Sequence, residues 1–368
     1  MNLSILLNSK RCLPYSPRAL VLTVFSMSTT NYSIPSDSWV LVTGANGFIA
    51  THVIEAFLAQ GYKVRGTVRS EKPWVDEYFK SKYGPANFET VILPKLEEDG
   101  ALDGCLTDVG GVVHVACNMS WTADPHSLIP EVVTATLNVL SAAARVRSVQ
   151  RVVLTSSVVT ARSRCPGTGE ITDYIVDENK WNDAAVAAAW DPTTPDHIKP
   201  GVVYTAAKVE AERGAWTWMA EHNPHFVLNT VLPNVNFGKI LFPGKQGTSM
   251  AATRLLLDGN DVATKIMPAQ WYVDVEDTAR LHVIGLLDPD VQSERLFACA
   301  DPYTWTQVVK VMRELRPDCS AIPDVQEEEN IRPFEIAASK RAEKLIQAFY
   351  GRPGWTSLEE SLARGLSD

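Results

Sequence analysis

The sequence predicts an α/β fold with a doubly wound parallel sheet, and three observations lead to that prediction. Strand-like and helix-like segments alternate from Trp39 to about Leu232, which is the pattern of a parallel sheet with helices on both faces. A turn containing two glycines follows the first strand-like run. Two serines end a later strand-like run, and a tyrosine–lysine pair follows them.

Each predicted element depends on a local pattern. Short apolar runs predict strands, at 39–43, 62–69, 111–116, 151–155, 226–232 and 295–299. Longer segments predict helices, at 48–60, 130–146, around Tyr204, 304–315 and 334–349. In the first helix the apolar residues recur at helical spacing, and Gly61 ends it. The tetrapeptide at 356–359, ThrSerLeuGlu, predicts a capping box that begins a final helix.

The order of elements predicts two interleaved parts. Residues 37–237 form the predicted nucleotide-binding domain of the Rossmann type, and residues 238–368 form mostly a smaller substrate-binding lobe. The stretches 163–202 and 238–272 have little periodicity. We expect these two stretches to shape a substrate pocket and close over it.

Residues 1–36 differ in composition from the rest of the chain. They carry Lys10, Arg11 and Arg18, several serines and no acidic residue before Asp37. We interpret them as a disordered extension, or as a segment upstream of a working start at Met27. A mitochondrial presequence is the alternative interpretation. The apolar run at 19–27 is too short for a membrane helix, and we expect no later segment to be long enough.

Charge and cysteine usage exclude some classes of protein. The formal net charge is −9, and no Lys/Arg-rich run is present, which argues against a nucleic-acid-binding surface. The six cysteines include no CxxC pair. They are therefore expected to be free thiols in a reducing compartment, neither a disulfide framework nor a zinc site. We expect a cytoplasmic location and a monomer or homodimer.

The turn after the first strand has the spacing of a dinucleotide-binding loop. Gly44, Gly47 and Ala50 form a GxxGxxA pattern between a predicted strand and helix. Glycines there let the backbone approach a pyrophosphate at the helix N-terminus, and a small residue allows close packing of the helix on the strand. An ordinary tight turn is the alternative.

The end of the second strand indicates which dinucleotide is bound. An acidic residue is usual there when the adenosine ribose is unmodified. Here Arg69 takes that position, and Lys72 follows it. An arginine suits phosphate oxygens, so NADP(H) is favoured. Glu71 keeps NAD open as an alternative.

Three residues make a candidate catalytic set. Ser157 ends a predicted strand, where a hydroxyl faces the ligand crevice and can hold a carbonyl oxygen. Tyr204 precedes Lys208 by four residues, so both lie on one helical face. The ammonium of Lys208 is expected to lower the pKa of the Tyr204 phenol, which is then the general acid. Tyr78 and Lys82 have the same spacing without other catalytic signs.

The order of the motifs resembles that of the extended short-chain dehydrogenase/reductases. The matching segments are VLVTGANGFIATHVIEAFL, VRGTVRS, GVVHVAC, VLTSS, YTAAK and VLPNVNFG. Within that superfamily the chain is similar to the dihydroflavonol-reductase-like group, and there to fungal NADPH-dependent aldehyde and carbonyl reductases of the yeast methylglyoxal-reductase kind. The ending GRPGWTSLEESL at 351–362 resembles the same fungal subgroup. The resemblance covers about residues 38–365.

The resemblance implies site residues and roles. It implies catalytic Ser157, Tyr204 and Lys208. It implies cofactor contacts, which fall at Gly44, Gly47, Phe48, Ile49, Arg69, Lys72, Leu96, Ala116, Tyr204, Lys208 and Pro233. Ala116 and Pro233 would touch the nicotinamide half. Relatives carry an Asp before the apolar residue at the adenine edge, whereas this chain has Lys95 before Leu96. Leu96 is expected to keep a packing role there.

The hypothesis is an NADPH-dependent reductase that converts an aldehyde or ketone to an alcohol, in detoxification or in secondary-metabolite biosynthesis. One alternative is a sugar-nucleotide epimerase or dehydratase of the same superfamily. Such enzymes need further acid–base groups beside the serine, and Ser157 is followed by ValValThrAla. The other alternative is an NADP-binding sensor without turnover, in which the tyrosine is usually lost.

Overall fold

A computed structural model describes residues 31–162, 175–245, 247–325 and 335–367. The predictions for residues 1–30 therefore lie outside the described residues. Tyr32–Asp368 form one compact unit. Ile34 is buried, and its carbonyl accepts a hydrogen bond from the Tyr62 hydroxyl (3.2 Å). The packed fold thus begins before residue 37, where the extension was expected to end.

The six predicted strands and the predicted helices are present, and the structure contains further elements that the alternating pattern did not predict, among them a helix at 73–83 and a strand at 88–92. The strands are β1 (Trp39–Val42), β2 (Lys63–Val68), β3 (Phe88–Ile92), β4 (Val109–His114), β5 (Arg151–Thr155), β6 (Ile175–Val176), β7 (Val227–Pro233), β8 (Val235–Phe237), β9 (Gln270–Asp274), β10 (Arg295–Ala298), β11 (Asp301–Tyr303) and β12 (Glu335–Ile336). The α-helices are α1 (Phe48–Ala59), α2 (Pro73–Tyr83), α3 (Pro125–Ala144), α4 (Asp183–Trp190), α5 (Lys199–His222), α6 (Gly247–Arg254), α7 (Val262–Ile266), α8 (Val275–Leu287), α9 (Trp305–Leu315), α10 (Ser339–Tyr350) and α11 (Leu358–Gly365).

The central sheet confirms the predicted fold class. Seven parallel strands run in the order β10-β7-β5-β4-β1-β2-β3. The order changes direction between β1 and β4, which is the topological switch point of a doubly wound sheet. One apolar core packs α1, α8 and α10 on one face, and another packs α3 and α5 on the opposite face.

The C-terminal part contributes to both the sheet and a smaller lobe. Strand β10 is an edge of the central sheet, and α8 covers one of its faces. A three-stranded sheet, β11-β9-β8, and a separate apolar cluster around Phe237, Met250 and Met312 build the lobe. The predicted boundary at 237/238 stays a prediction.

Several element predictions need correction. Helix α3 begins at Pro125, so Pro130 lies inside it, and α10 begins at Ser339 because residues 335–336 form β12. The last helix is capped one residue later than predicted, since Ser357 accepts a hydrogen bond from the Glu360 amide (3.2 Å). The stretch 163–202, expected to be irregular, contains α4 and the first turn of α5, and 238–272 contains α6 and α7.

Helix α3 is, within the described ranges, long and apolar enough to cross a membrane by length and composition alone. The expectation that no segment after residue 27 would meet that criterion is therefore wrong. Its buried residues, Leu128, Val139 and Leu140 among them, pack in the protein core. Core helices of globular proteins meet the same criterion.

Candidate active site

The glycine turn lies at the switch point of the sheet. Gly44 follows β1 with φ of 72°, a left-handed conformation that favours glycine. A Cβ added there would lie 3.1 Å from the Ala116 Cα, so a side chain would also crowd the loop after β4. The Thr43 hydroxyl holds the two loops together, because it accepts hydrogen bonds from the amides of Val115 and Ala116 (3.0 Å each). Gly44 and Ala116 therefore lie together at this edge.

The N-terminus of α1 presents free backbone donors. Gly47 caps the helix without a side-chain hydrogen bond. Among the described residues, the amides of Phe48 and Ile49 have no backbone or side-chain acceptor. The Phe48 side chain is buried in the lobe cluster, so only its backbone faces the turn. Unpaired amides at a helix N-terminus fit a pyrophosphate.

The predicted 2′-phosphate residues lie at the end of β2. Arg69 is exposed, and within the described part of the chain its guanidinium has neither a hydrogen-bond nor an ion-pair partner. The Lys72 Nζ instead donates to the Ser70 hydroxyl (2.6 Å) and to the Glu71 carbonyl (3.1 Å). A guanidinium without a partner at this edge is suited to bind a phosphate. Lys72 would have to break its hydrogen bonds to Ser70 and Glu71 before it could bind one.

The two residues at the predicted adenine edge, Lys95 and Leu96, have different surroundings. Leu96 is half-buried and packs on the core cluster around Leu93 and Leu140. Its carbonyl accepts a hydrogen bond from the Asn138 side chain (3.1 Å), which fixes this loop on α3. Lys95 is exposed and pairs with Glu98 (3.0 Å). Leu96 thus packs on the protein core and Lys95 is engaged on the surface, and a contact of Leu96 with the adenine stays a prediction.

Ser157, Tyr204 and Lys208 meet at the carboxyl ends of β5 and β7. Ser157 follows β5, and its hydroxyl donates a long hydrogen bond to the Pro233 carbonyl (3.4 Å) at the end of β7. Helix α5 brings Tyr204 close enough to Ser157 for the serine hydroxyl to lower the pKa of the phenol. Lys208 is buried one turn further on and donates to the Thr155 carbonyl (2.8 Å). The three candidate residues are brought together.

The pKa of Tyr204 departs from the expectation. Removal of its ring from water raises the pKa well above 10, and nearby Cys117 raises it further, although the Ser157 hydroxyl lowers it. The Lys208 ammonium is directed to the Thr155 carbonyl. The expected lowering of the Tyr204 pKa is therefore wrong for this structure, because the loss of hydration outweighs the contribution of Ser157. Tyr204 holds its proton at neutral pH.

Two neutral histidines lie behind Lys208. Burial lowers the pKa of His114 to about 3, helped by the nearby Lys208 charge, and burial lowers that of His282 to about 4. His114 Nδ1 lies 2.8 Å from the Thr43 hydroxyl, and His282 Nε2 lies 2.7 Å from that of Thr155. His114 is thus the satisfied core histidine that an apolar strand predicts.

Aromatic residues surround the site in different ways. The Trp121 ring lies 5.2 Å from that of Tyr204 and is tilted by 33°. It stays 44% exposed, on a residue with φ of 52°. Trp181 lies between two guanidinium groups, and Trp190 packs edge-on against His126. Trp271 packs against the apolar cluster next to Val158. Sequence alone did not separate these roles.

Metal-dependent chemistry has no candidate ligand set in the described residues, since no group of three His, Cys, Asp or Glu side chains there could hold an ion. The four described cysteines, Cys105, Cys117, Cys299 and Cys319, are free thiols as expected.

Sequence reasoning also missed Glu212, a fully buried carboxylate on α5. Four residues after Lys208, it looks in the sequence like a solvated partner on a helix face.

Comparison with known proteins identifies the family. The model of the NAD dependent epimerase/dehydratase family matches residues 40–299. The chain belongs to that family. Two fungal members are similar to it over nearly their whole length. A ketoreductase of Aspergillus novofumigatus is 42% identical over 93% of this chain and 99% of its own. Aldehyde reductase 2 of Sporidiobolus salmonicolor is 37% identical over 90% and 96%.

A solved structure of the family has the same fold. The yeast methylglyoxal/isovaleraldehyde reductase, complexed with NADPH, has a TM-score of 0.74 at 25% identity. The match covers 89% of this chain and 96% of the yeast chain. The predicted superfamily and fold are confirmed, and the NADP(H) prediction agrees with the cofactor in that complex.

Proposed function

We propose that this epimerase/dehydratase-family member is an NADPH-dependent carbonyl reductase that converts an aldehyde or a ketone to an alcohol. One observation carries the proposal: a protonated tyrosine, a serine and a lysine converge at the crevice that also contains the glycine turn. Relatives named ketoreductase and aldehyde reductase support the reaction class.

The residues around the glycine turn would hold the cofactor. The free amides of α1 and the close approach at Gly44 suit the pyrophosphate, and Arg69 suits the 2′-phosphate of NADP(H). Ala116 and Pro233 would border the nicotinamide half, and Leu96 the adenine. Lys208 uses one of its three N–H donors on Thr155, so two remain for ribose hydroxyls. When bound, the cofactor supplies the hydride.

Tyr204 would deliver the proton that completes the reduction. The phenol is protonated at neutral pH, as a tyrosine with an ordinary pKa of about 10 also is, and this is the state that a proton donor requires. Ser157 would hold and polarise the carbonyl oxygen, because its hydroxyl lies at the ends of β5 and β7 and near Tyr204. The exposed Trp121 ring beside Tyr204 favours a substrate with an apolar or aromatic group.

The same geometry favours reduction over the epimerase or dehydratase alternative. Those reactions need a further acid or base at the reacting carbon. In the described residues, the carboxylate that contacts the Ser157 turn is Glu212, and it is engaged by Ser156, Thr160 and Arg295. The sensor alternative is disfavoured because Tyr204 is present. A cytoplasmic location, a monomeric or homodimeric state, and the choice between detoxification and biosynthesis stay predictions.

The test is turnover with the purified chain. NADPH and NADH are each mixed with aryl aldehydes, aliphatic aldehydes, β-keto esters and a UDP-sugar, and the products are identified by mass spectrometry. The proposal expects NADPH oxidation with one alcohol formed for each NADPH, and no change in the UDP-sugar. Epimerised sugar, or NADPH binding without turnover of any carbonyl compound, would overturn it in favour of one alternative.

A further inference from the structure

A buried ion pair lies directly beneath the Ser157 turn. Glu212 is 0% exposed and lies on the same face of α5 as Tyr204 and Lys208, one turn beyond the lysine. Arg295 on β10 pairs with it through Nε (2.8 Å to Oε1), and the side chain of Arg295 is 7% exposed. Neither residue has a part in the proposed reaction.

Glu212 accepts hydrogen bonds from residues that precede and follow Ser157 in the chain. Its Oε2 accepts hydrogen bonds from the hydroxyls of Ser156 (2.6 Å) and Thr160 (2.7 Å). Ser156 directly precedes Ser157, and Thr160 closes the 3₁₀ turn that follows it. The carboxylate therefore ties the turn that carries Ser157 to the helix that carries Tyr204 and Lys208.

The opposite oxygen of Glu212 faces away from that turn. Its Oε1 accepts a hydrogen bond from the Thr230 hydroxyl on β7 (3.0 Å), in addition to the Arg295 contact. Thr230 is fully buried and three residues before Pro233. One carboxylate thus has two hydroxyl donors on the Ser157 side and one on the strand side.

Arg295 anchors the carboxylate and extends the network. It donates to the backbone carbonyls of Glu178 (2.8 Å) and Lys180 (2.9 Å), and its guanidinium lies 4.2 Å from the Trp181 ring. Burial alone would raise the pKa of Glu212, but Arg295 and the hydroxyl donors outweigh burial and lower it. Glu212 is therefore ionised, and a charge-assisted bond to Ser156 is strong and directional.

We infer that Glu212 is a positioning residue, which acts through Ser156 and Thr160 to fix the Ser157 hydroxyl relative to Tyr204. The inference depends on the proposed function, since it assigns a role in the same reaction. A catalytic hydroxyl displaced by about 1 Å costs on the order of 100-fold in rate. Contacts that fix the position of the Ser157 hydroxyl are therefore expected to raise kcat.

The two sides of the carboxylate provide a matched test. Removing Glu212 itself leaves Arg295 buried without its partner and destabilises the whole fold, so one hydroxyl is removed at a time. Ser156→Ala deletes one of the two hydroxyl bonds on the Ser157 side and leaves that of Thr160, and Thr230→Val deletes the bond on the strand side with little change in shape. Each variant leaves the carboxylate, Arg295 and the three candidate catalytic residues in place.

Kinetic constants, thermal stability and hydrogen–deuterium exchange are measured on both variants of the full chain. We expect Ser156→Ala to lower kcat roughly tenfold, with the KM for NADPH unchanged and a Tm similar to that of Thr230→Val. We expect Thr230→Val to keep kcat within about twofold. In hydrogen–deuterium exchange, the amides of Thr160, Ala161 and Arg162, which are bonded within the turn, are expected to exchange faster in Ser156→Ala only.

The outcomes separate this inference from the proposed function. Equal losses of kcat in the two variants, or no loss in either, would overturn the positioning role, as would equal exchange of the turn in both. If the wild-type chain reduces no carbonyl compound, the proposed function is wrong. The exchange measurement then still decides whether Glu212 holds the Ser157 turn through Ser156.

Discussion

Helices α2 and α5 each carry a tyrosine four residues before a lysine, and the two pairs lie in opposite surroundings. The Lys82 ammonium is on the surface, where its side chain is 45% exposed and pairs with Glu55. The Tyr78 ring packs between Phe79 and Phe242 (5.1 and 4.8 Å). Both groups have structural contacts, and neither faces the crevice at the carboxyl edge of the sheet.

The second pair, Tyr204 and Lys208, faces that crevice. Lys208 is 6% exposed and holds the end of β5 through the Thr155 carbonyl. Tyr204 meets Ser157 on one side and the exposed Trp121 ring on another. The comparison teaches that the spacing supplies only a shared helical face, whereas strand ends and buried partners supply the chemistry.

The largest expected effect separates the two tyrosines. Tyr204→Phe removes the proposed proton donor, and we expect kcat to fall about 1,000-fold, within the range for general acid catalysis. Tyr78→Phe keeps its ring packing and is expected to leave kcat unchanged. Steady-state NADPH oxidation measures both. A Tyr204→Phe enzyme with a wild-type rate would remove the basis for the proposed role.

The two lysines give the next contrast. Lys208→Met removes an ammonium from the site and leaves the Thr155 carbonyl without its donor, so we expect kcat/KM to fall about 100-fold. Lys82→Met removes an exposed ion pair, which is worth about 1 kcal/mol or less, and activity is expected to persist. Similar losses in both variants would show that the contrast between the sites is wrong.

Cofactor choice gives a smaller contrast between two exposed cations. Arg69→Ala is expected to raise the KM for NADPH roughly 10- to 100-fold while that for NADH changes little, since a charged hydrogen bond to phosphate is lost. Lys95→Ala, which breaks only the surface pair with Glu98, is the matched control. An unchanged ratio of NADPH to NADH activity in Arg69→Ala would contradict the assignment.

His114, one of the two buried neutral histidines near Lys208, predicts that the stability of the fold depends on pH. The folded-state pKa of His114 is about 3, below its unfolded value of about 6.5. The unfolded chain therefore binds the proton first, and this contribution to stability is lost as pH falls below about 6.5. Between pH 7 and 5.5 the loss is about 1.3 kcal/mol.

A variant isolates that contribution from those of other groups. His114→Asn keeps an acceptor for the Thr43 hydroxyl but has no proton to gain. Burial raises the pKa of Asp274 to about 6, which works in the opposite direction in both proteins and cancels. Urea midpoints at the two pH values are expected to differ by more in the wild type. Equal pH dependence would contradict a buried neutral His114.

The smallest effect concerns two exposed tryptophans. Trp121→Ala removes the ring beside Tyr204, and we expect the KM for an aryl ketone to rise roughly three- to tenfold. Trp190→Ala, which loses a contact with His126, is expected to leave that KM unchanged. A larger rise in KM for Trp190→Ala than for Trp121→Ala would indicate that the substrate binds near α4 and not beside Trp121.

Local patterns were enough to predict six of the seven strands of the central sheet and the glycine turn, because most of these strands are apolar on both faces and the turn needs Gly44. They missed the edge strand β3, since its sequence FETVI mixes polar and apolar residues and most of it is only half-buried. They also missed α8, since nearly all of its side chains are buried and no polar face marks it. The convergence of Ser157, Tyr204 and Lys208 was predictable from their order along the chain. The raised pKa of Tyr204 was not, because it depends on desolvation by residues distant in sequence.

The support beneath the site was also beyond prediction from the sequence. Glu212 and Arg295 are 83 residues apart, and neither carries a local sign of burial. The Trp181 ring lies between Arg213 and Arg295, 5.1 and 4.2 Å from the two guanidinium groups, a contact made only by the folded chain. Long-range pairs of this kind join the edge strand β10, the segment before α4 and helix α5.

Transfer of deuterium from labelled NADPH to the substrate tests directly whether the chain reduces a carbonyl group. NADPH labelled with deuterium at the transferable position of the nicotinamide is mixed with the wild-type chain and a carbonyl compound that it turns over. We expect an alcohol with one deuterium on the former carbonyl carbon for each NADPH consumed, and almost none from Tyr204→Phe. Oxidised cofactor without labelled alcohol, or equal labelling by Tyr204→Phe, would contradict it.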